Sequence, residues 1–120
     1  MYQRYNPNPT GKHVGDCTVR AISKALGQDW DATYWGLAEE GALIKDMPSA
    51  NAVWGSYLRE HGFRRSMAPD GITVAEFADI YYHGTYILAL DKHVVCLHDG
   101  VIYDTWDSSN EVVLYFWRKG

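Results

Sequence analysis

One cysteine of this chain stands where its thiol could act as a nucleophile. Cys17 follows Asp16, and from Cys17 to Leu26 apolar residues recur at helical spacing. Unpaired backbone N–H groups and the helix dipole favour the thiolate at the start of a helix, so a cysteine there has a lowered pKa. The position taken alone is also typical of a small core residue. To act as a catalyst, the thiol needs a base from elsewhere in the chain.

A predicted β-hairpin supplies that base. Asp99-Gly100, between two β-rich runs, predicts a two-residue type I′ turn, which fixes the register. In this register His93 and Asp104 are diagonal neighbours, roughly 7 to 8 Å apart and within reach of a hydrogen bond. We predict that His93 is the base, that Asp104 orients it, and that Trp106 shields their hydrogen bond from water. The register pairs His98 with Val101, Leu97 with Ile102, Val95 with Asp104 and His93 with Trp106.

The elements that position these residues are predicted as helices first and strands second. Segments of helical periodicity precede Gly84, and short runs rich in β-branched and aromatic residues follow it. Four successive strands with short turns predict an antiparallel meander, so we expect one α+β domain, 1–120, with an extended arm over 1–15. The predicted helices cover Cys17 to Leu26, about Asp31 to Gly41, Pro48 or Ser49 to Gly62, and Thr73 to Tyr82. The predicted strands cover Tyr86 to Leu90, His93 to His98, Val101 to Trp106 and Val112 to Trp117.

Three short motifs follow one another in a meaningful order. Gly15-Asp16-Cys17 opens a predicted helix, His93 starts a predicted strand, and Asp104-Thr105-Trp106 lies on the next strand. In this order they resemble the papain-like cysteine peptidase superfamily, particularly its small bacterial and phage members. The resemblance spans residues 15 to about 117. It implies a papain-like fold and attack on an amide, peptide or isopeptide bond by a triad of Cys17, His93 and Asp104.

The chain departs from that superfamily at two positions near the nucleophile. The usual Gln upstream of the cysteine is missing, since Gly11 stands six residues before Cys17, and Thr18 replaces the Trp that often follows. Asn6 and Asn8 carry side-chain amides, and we expect one of them to donate to the oxyanion instead. Two functions stay open. One is a hydrolase or acyl transferase with a peptide or protein substrate, and the other is a non-catalytic papain-like module that binds a partner protein, as a phage-type accessory or inhibitor would.

Three further features have simpler structural interpretations. Arg20, one turn after Cys17, is predicted to form a salt bridge within the helix. Trp54 becomes a wall of the site only if the third predicted helix packs beside the cysteine. Arg64-Arg65 is too short a basic cluster to indicate nucleic-acid binding, and we expect a solvated turn there.

Charge, hydropathy and cysteine content exclude several classes of protein. Eleven Lys and Arg against fifteen Asp and Glu give a formal net charge of -4, so neither nucleic acid nor an anionic membrane is an expected partner. The longest apolar stretches are far shorter than the roughly 20 residues of a membrane helix. Without a signal-peptide pattern or a disulfide framework, a cytoplasmic protein with free thiols is predicted. No cofactor is expected, and the spacing predicts no metal site among His13, Cys17, His93, Cys96 and His98.

Overall fold

The computed structural model describes all 120 residues, which form an α+β domain of four helices and a six-stranded mixed sheet. Three helices precede the central strands, and the fourth lies between the second and third strands. No helix has the length and apolar character needed to cross a membrane. The helices are α1 (Cys17–Leu26), α2 (Trp30–Ile44), α3 (Asn51–Glu60) and α4 (Val74–Ile80). The strands are β1 (Tyr2–Arg4), β2 (Phe63–Met67), β3 (Thr85–Leu90), β4 (His93–His98), β5 (Val101–Asp104) and β6 (Tyr115–Lys119).

The sheet is not the predicted four-stranded meander. Its order is β1-β5-β4-β3-β6-β2, in which β3, β4 and β5 are consecutive antiparallel neighbours. β6 pairs with β3 instead of with β5. The segment after β5 crosses the sheet before β6 begins, and a bridge between Thr73 and Val112 marks its path. Three strands of the meander form in the predicted order, but the third ends at Asp104 instead of Trp106. The fourth covers Tyr115–Lys119 instead of Val112 to Trp117 and lies on the opposite side of β3.

Both edge strands differ from the sequence prediction. β1 lies in the predicted arm and runs parallel to β5, with Tyr2 opposite Ile102. β2 contains Arg64 and Arg65, which were predicted in a solvated turn, and it runs antiparallel to β6. The Arg65 guanidinium lies 4.2 Å from the centre of the Tyr115 ring on that neighbouring strand. Short, charged strands at a sheet edge carry little periodicity of their own, so their pairing depends on distant partners.

Helix α1 has the predicted bounds. Gly27 takes the left-handed conformation, φ 65°, that terminates the helix after Leu26. Asp16 occupies the N-cap position but makes no side-chain cap hydrogen bond. Its carboxylate instead pairs with Arg20 on the first full turn. Ala21 and Ile22 are buried against the sheet, and this packing fixes where the helix start lies.

Helix α2 is longer than predicted at both ends. Asp29, not Asp31, is its N-cap, and its side chain accepts a hydrogen bond of 2.7 Å from the Ala32 backbone N–H. The helix continues past Gly41 and ends where Lys45 adopts a left-handed φ of 69°. Gly41 is needed for packing, because an added Cβ would lie 2.7 Å from the Asp46 carbonyl oxygen. The glycine therefore marks a close approach of the chain and not the end of the helix.

The two remaining helices begin within three residues of their predicted starts. α3 starts at Asn51, after the predicted Pro48 or Ser49. α4 starts at Val74, where Thr73 and Glu76 form the predicted capping box. α4 also covers the face of the sheet opposite α1 and α3.

Two hydrophobic clusters lie on the two faces of the sheet. Residues of α1, α2 and α3 cover one face, and residues of α4 cover the other. Successive residues of β3 alternate between them, since Ile87 belongs to the first cluster and Leu88 to the second. The central strands are therefore buried on both sides. The first turn of α1 is held beside the start of β4, where the candidate site lies.

Candidate active site

The hairpin has the predicted register. His98 lies opposite Val101, and Leu97 lies opposite Ile102. The turn between them has positive φ angles at both residues, 47° at Asp99 and 79° at Gly100, as a type I′ turn requires. The ladder between β4 and β5 ends at the pair of Cys96 and Tyr103, so Val95 with Asp104 and His93 with Trp106 are not ladder pairs. The side chains of the predicted site nevertheless meet beyond the end of the ladder.

Asp104 binds the imidazole of His93. His93 Nε2 and Asp104 Oδ2 are 2.6 Å apart, and the carboxylate is 2% exposed. The Ser108 hydroxyl donates to the same oxygen over 3.2 Å, and the Thr105 backbone N–H donates to Oδ1 over 2.7 Å. Arg20 Nη2 approaches Oδ1 to 3.5 Å. With donors on both oxygens the carboxylate is fixed in orientation, and it fixes the ring in turn.

The Cys17 thiol lies half-buried at the first position of α1, within the influence of His93. Burial alone would raise the pKa of this thiol. Hydrogen bonds from the His93 ring and the Val94 backbone, with the positive charges of His93 and Arg20, lower the pKa below its ordinary value. Because His93 Nε2 is bound to Asp104, the other ring nitrogen, Nδ1, is the one left for the thiol.

The pKa of His93 moves in the opposite sense. Burial would lower it, but hydrogen bonds to Asp104 and Cys17, and the charges of both groups, raise the pKa to about 9. A raised imidazole pKa and a lowered thiol pKa favour proton transfer from sulfur to nitrogen. The two shifts together therefore favour a thiolate beside an imidazolium over a neutral thiol beside a neutral imidazole.

Trp106 lies against His93 as predicted. The two rings are 4.9 Å apart between centroids and inclined by 37°. The indole is 44% exposed, so one side faces solvent while the other covers the imidazole. Trp106 therefore forms an outer wall next to the hydrogen bond between His93 and Asp104.

Arg20 joins two buried carboxylates. It pairs with Asp16, the predicted salt bridge within the helix, and also approaches Asp104, which the sequence did not predict. The second oxygen of Asp16 accepts a hydrogen bond of 2.9 Å from the Trp30 indole N–H. Asp16 immediately precedes the nucleophile. The guanidinium therefore ties the residue before Cys17 to the carboxylate that orients the base.

Three cavities meet at the start of α1. The largest, which we call the cleft, has a volume of about 480 Å³ and lies between the starts of α1 and α3 and the turn from β3 to β4. Cys17 and His93 line it together, and Trp54 lines it too, so the third helix does place its indole in the wall of the site. A second cavity of about 330 Å³ adjoins the cleft at Cys17 and His93 and includes Trp106. The third, of about 320 Å³, lies against the first turns of α1 and α2.

Asn6 and Asn8 are not brought to the thiol. The Asn6 side-chain oxygen accepts from the Asn8 backbone N–H over 3.1 Å, and that of Asn8 accepts from the Thr10 backbone N–H over 2.9 Å. Neither asparagine lines a cavity that contains Cys17. Both shape turns of the N-terminal segment instead.

A different asparagine lines the cleft and was missed from the sequence. Asn51, the first residue of α3, shares the cleft with Cys17. Its side-chain oxygen accepts a hydrogen bond of 3.1 Å from the Trp54 indole N–H, which leaves the amide N–H groups as its unused donors. The only sequence signal was its position at a predicted helix start, three residues before a tryptophan.

The histidines and the second cysteine do not converge on a metal site. Cys96 is fully buried in β4, and burial raises its pKa to about 12. The His98 ring lies 2.8 Å from the Thr85 hydroxyl, on the far part of the hairpin. No three His, Cys, Asp or Glu side chains form a group that could hold a metal ion.

Comparisons with known proteins assign no family to the chain. No family model, curated protein or solved structure matches it. The functional argument rests on the arrangement of Cys17, His93 and Asp104.

Proposed function

We propose that the protein is a thiol-dependent hydrolase or acyl transferase that acts on an amide, peptide or isopeptide bond of a peptide or protein. One observation carries the proposal. A buried carboxylate, Asp104, holds His93 over 2.6 Å, and that imidazole lines the cleft together with the Cys17 thiol. This is the arrangement of nucleophile, base and orienting group that acyl transfer requires.

The acylation step uses the thiolate and the imidazolium together. Cys17 Sγ attacks the carbonyl carbon, a C–S bond forms, and the carbonyl electron pair moves to oxygen. Collapse of this intermediate breaks the bond to the leaving nitrogen, which takes the proton from His93. The products are a thioester on Cys17, a free amine and a neutral imidazole that is still hydrogen-bonded to Asp104.

Deacylation returns the site to its starting state. His93 takes a proton from water, and the oxygen attacks the thioester carbonyl. The C–S bond then breaks and releases a carboxylic acid and the Cys17 thiolate. When an amine takes the place of water, the same steps transfer the acyl group to that amine. Hydrolysis and transfer therefore differ only in which nucleophile enters the cleft.

The oxyanion needs donors that face the cleft. The Cys17 backbone N–H is one of the unpaired groups at the start of α1, so it supplies the first donor. The second donor was expected from Asn6 or Asn8, which do not line the cleft. Asn51 does line it, with its amide N–H groups free of intramolecular partners, and it is the better candidate.

We also propose that the domain is related to the papain-like superfamily. Cys17 at the start of a helix, His93 at the start of a strand and Asp104 at the end of the next strand support this relationship. The mixed sheet, with β6 beside β3, differs from the meander that the strand pattern predicted. The relationship therefore rests on the site and its order in the chain more than on strand order.

A non-catalytic papain-like module that binds a partner protein is the second candidate. It is favoured by one observation, the position of Asn6 and Asn8 away from the thiol. Loss of one oxyanion donor lowers the rate by about 10² to 10³. Such a module would keep the fold but show no acylation at Cys17.

Acylation by an activated ester separates the two functions. We expect p-nitrophenyl acetate to add one acetyl group to Cys17, seen as a mass increase on the intact protein, and to be turned over at neutral pH. Cys17→Ala should show neither, and Cys96→Ala should show both. Acetylation of the native protein no faster than that of a free thiol at the same pH would support the binding module instead.

A further inference from the structure

The third cavity at the start of α1 is lined by an aromatic pair. The rings of Trp30 and Tyr34, one turn apart on α2, stack with a centroid separation of 5.1 Å and an angle of 11°. Trp35 meets Tyr34 edge-on at 5.5 Å and is 69% exposed. We call this third cavity the aromatic cavity. At about 320 Å³ it lies at the lower end of the size range of ligand pockets.

The aromatic cavity adjoins the cleft. Gly15, Thr18 and Ser49 line both, so the two share a wall beside the nucleophile. A hydrogen bond also connects the two cavities, since the Trp30 indole N–H donates to Asp16, the residue before Cys17. A group bound in the aromatic cavity is thus held in a fixed relation to the thiol.

The chemistry of the lining favours an apolar occupant. Val14, Val19, Leu37 and Pro48 complete the wall. Asp16 is the one charged residue in it, and both of its oxygens are already bound, one by Arg20 and one by Trp30. A sugar ring would find hydroxyl groups here but no free carboxylate or amide, whereas an aromatic or large aliphatic side chain would find rings to stack on.

We infer that the aromatic cavity is a specificity subsite for a large apolar or aromatic side chain of the polypeptide whose carbonyl is held at Cys17. The inference rests on the proposed function and names its substrate class. A polypeptide lying through the cleft would place one such side chain over Trp30 and Tyr34 while the reacting carbonyl lies at the sulfur.

Alkylation of Cys17 by matched iodoacetamides tests the subsite on the full chain. The thiolate displaces iodide in every case, so a change in the amide substituent alters only what lies in the neighbouring cavity. We expect iodoacetamides carrying a phenyl group on a short alkyl linker to alkylate Cys17 about fivefold to tenfold faster than N-methyl iodoacetamide, with saturation at high probe concentration. A glucosyl-linked iodoacetamide should show no such gain.

Two variants locate the effect. Tyr34→Ala removes a partly exposed ring from the cavity and should bring the ratio of phenyl-probe to methyl-probe rates close to one. Alkylation of Cys17 by the methyl probe in this variant shows that the site has folded. Tyr82→Ala removes another exposed tyrosine, which lies beside His83 and lines none of these cavities, and should preserve the gain.

The possible results separate the subsite from the proposed function. Equal rates with phenyl and methyl probes, a gain that survives Tyr34→Ala, or a larger gain with the glucosyl probe would each overturn the subsite. If the rate of alkylation by N-methyl iodoacetamide instead follows pH as it does for a free thiol, Cys17 is not held as a thiolate and the proposed function is wrong. The rate ratio and the pH profile are independent readings of the same reaction.

Discussion

The two cysteines of this chain lie in regions that shift the pKa of the thiol in opposite directions. Cys96 sits in the middle of β4 with apolar neighbours on its face, is fully buried, and has a pKa raised to about 12. Cys17 sits at the start of α1, half-buried, with a pKa below its ordinary value. Burial raises the pKa at both places. The difference comes from the hydrogen bonds of the His93 ring and the Val94 backbone and from the charges of His93 and Arg20, which lower the pKa of Cys17 alone.

The comparison teaches where reactivity comes from in this fold. A helix start is not enough, because the desolvation of Cys17 opposes ionisation and is its largest single contribution. The imidazole overcomes it because Asp104 holds the ring in place and favours its charged form. Reactivity therefore depends on a chain of buried contacts that runs from Asp104 through His93 to the sulfur.

Removing each sulfur in turn gives the largest contrast. Cys17→Ala should abolish turnover of an activated ester, because the acyl acceptor is lost. Cys96→Ala should retain turnover and cost about 1 to 2 kcal/mol in free energy of unfolding, because it leaves a small void in the core. Ester turnover and urea denaturation of both variants measure the two effects. Equal losses of turnover would contradict the different roles of the two thiols.

Removing the orienting carboxylate should make Cys17 behave more like an ordinary thiol. Asp104→Ala leaves His93 without its partner, so we expect the pKa of the Cys17 thiol to rise and turnover to fall by about 10²-fold or more. Asp104→Asn keeps a hydrogen-bond acceptor and should lose less.

Asp107→Ala is the matched control for that change. Asp107 is exposed, and its side chain bonds only to Ser109. Thiol labelling against pH and ester turnover should match the native protein. If Asp104→Ala leaves the thiol profile unchanged too, Asp104 does not orient the base.

Changing the shared cation should affect stability more than chemistry. Arg20→Met leaves the buried carboxylates of Asp16 and Asp104 without their common partner, and we expect a loss of about 3 to 5 kcal/mol in free energy of unfolding. The pKa of Cys17 should rise slightly, since Arg20 is the last of the contributions that lower it. Lys12→Met, at an exposed lysine that forms no salt bridge, is the control. Chemical denaturation measures the free energy of unfolding of both variants. Equal, small losses in the two would rule out a structural role for the guanidinium.

The pH dependence of turnover should show the two members of the ion pair separately. Turnover should rise with pH as the Cys17 thiol ionises, at a pKa below its ordinary value. It should fall again as pH passes about 9, because His93 then loses the proton that the leaving group needs. Initial rates with a peptide p-nitroanilide, an amide whose leaving nitrogen must be protonated, measure both limbs from pH 4 to 11. A rate that keeps rising above pH 10 would show that no protonated imidazole takes part.

Local signals in the sequence were sufficient for the residues of the candidate triad. The Asp99-Gly100 turn fixed the register of the hairpin, and that register brought His93 to Asp104. The left-handed Gly27 and the apolar period placed Cys17 at a helix start. The hairpin register and the start of α1 each depend on residues close together in the chain, so the local sequence pattern is enough to predict them.

Long-range pairings could not be predicted in the same way. The pairing of β1 with β5 joins residues about a hundred positions apart. β6 pairs with β3 instead of β5 because the segment between β5 and β6 crosses the sheet. The second contact of Arg20, with Asp104, depends on how α1 packs over β5. Asn51 and the aromatic cavity likewise arise where α2 and α3 meet the start of α1.

Alkylation by iodoacetamide as a function of pH, with the two thiols resolved by peptide mass spectrometry, tests the contrast between them most directly. Cys96 should stay unlabelled until the protein unfolds and so reports that the fold is intact. An ordinary thiol has a pKa of about 8.5, and the labelling rate of Cys17 should reach half its plateau at a pH well below that value. A midpoint near that reference, in protein whose Cys96 remains protected, would show that Cys17 carries no thiolate–imidazolium pair and would contradict the proposed chemistry.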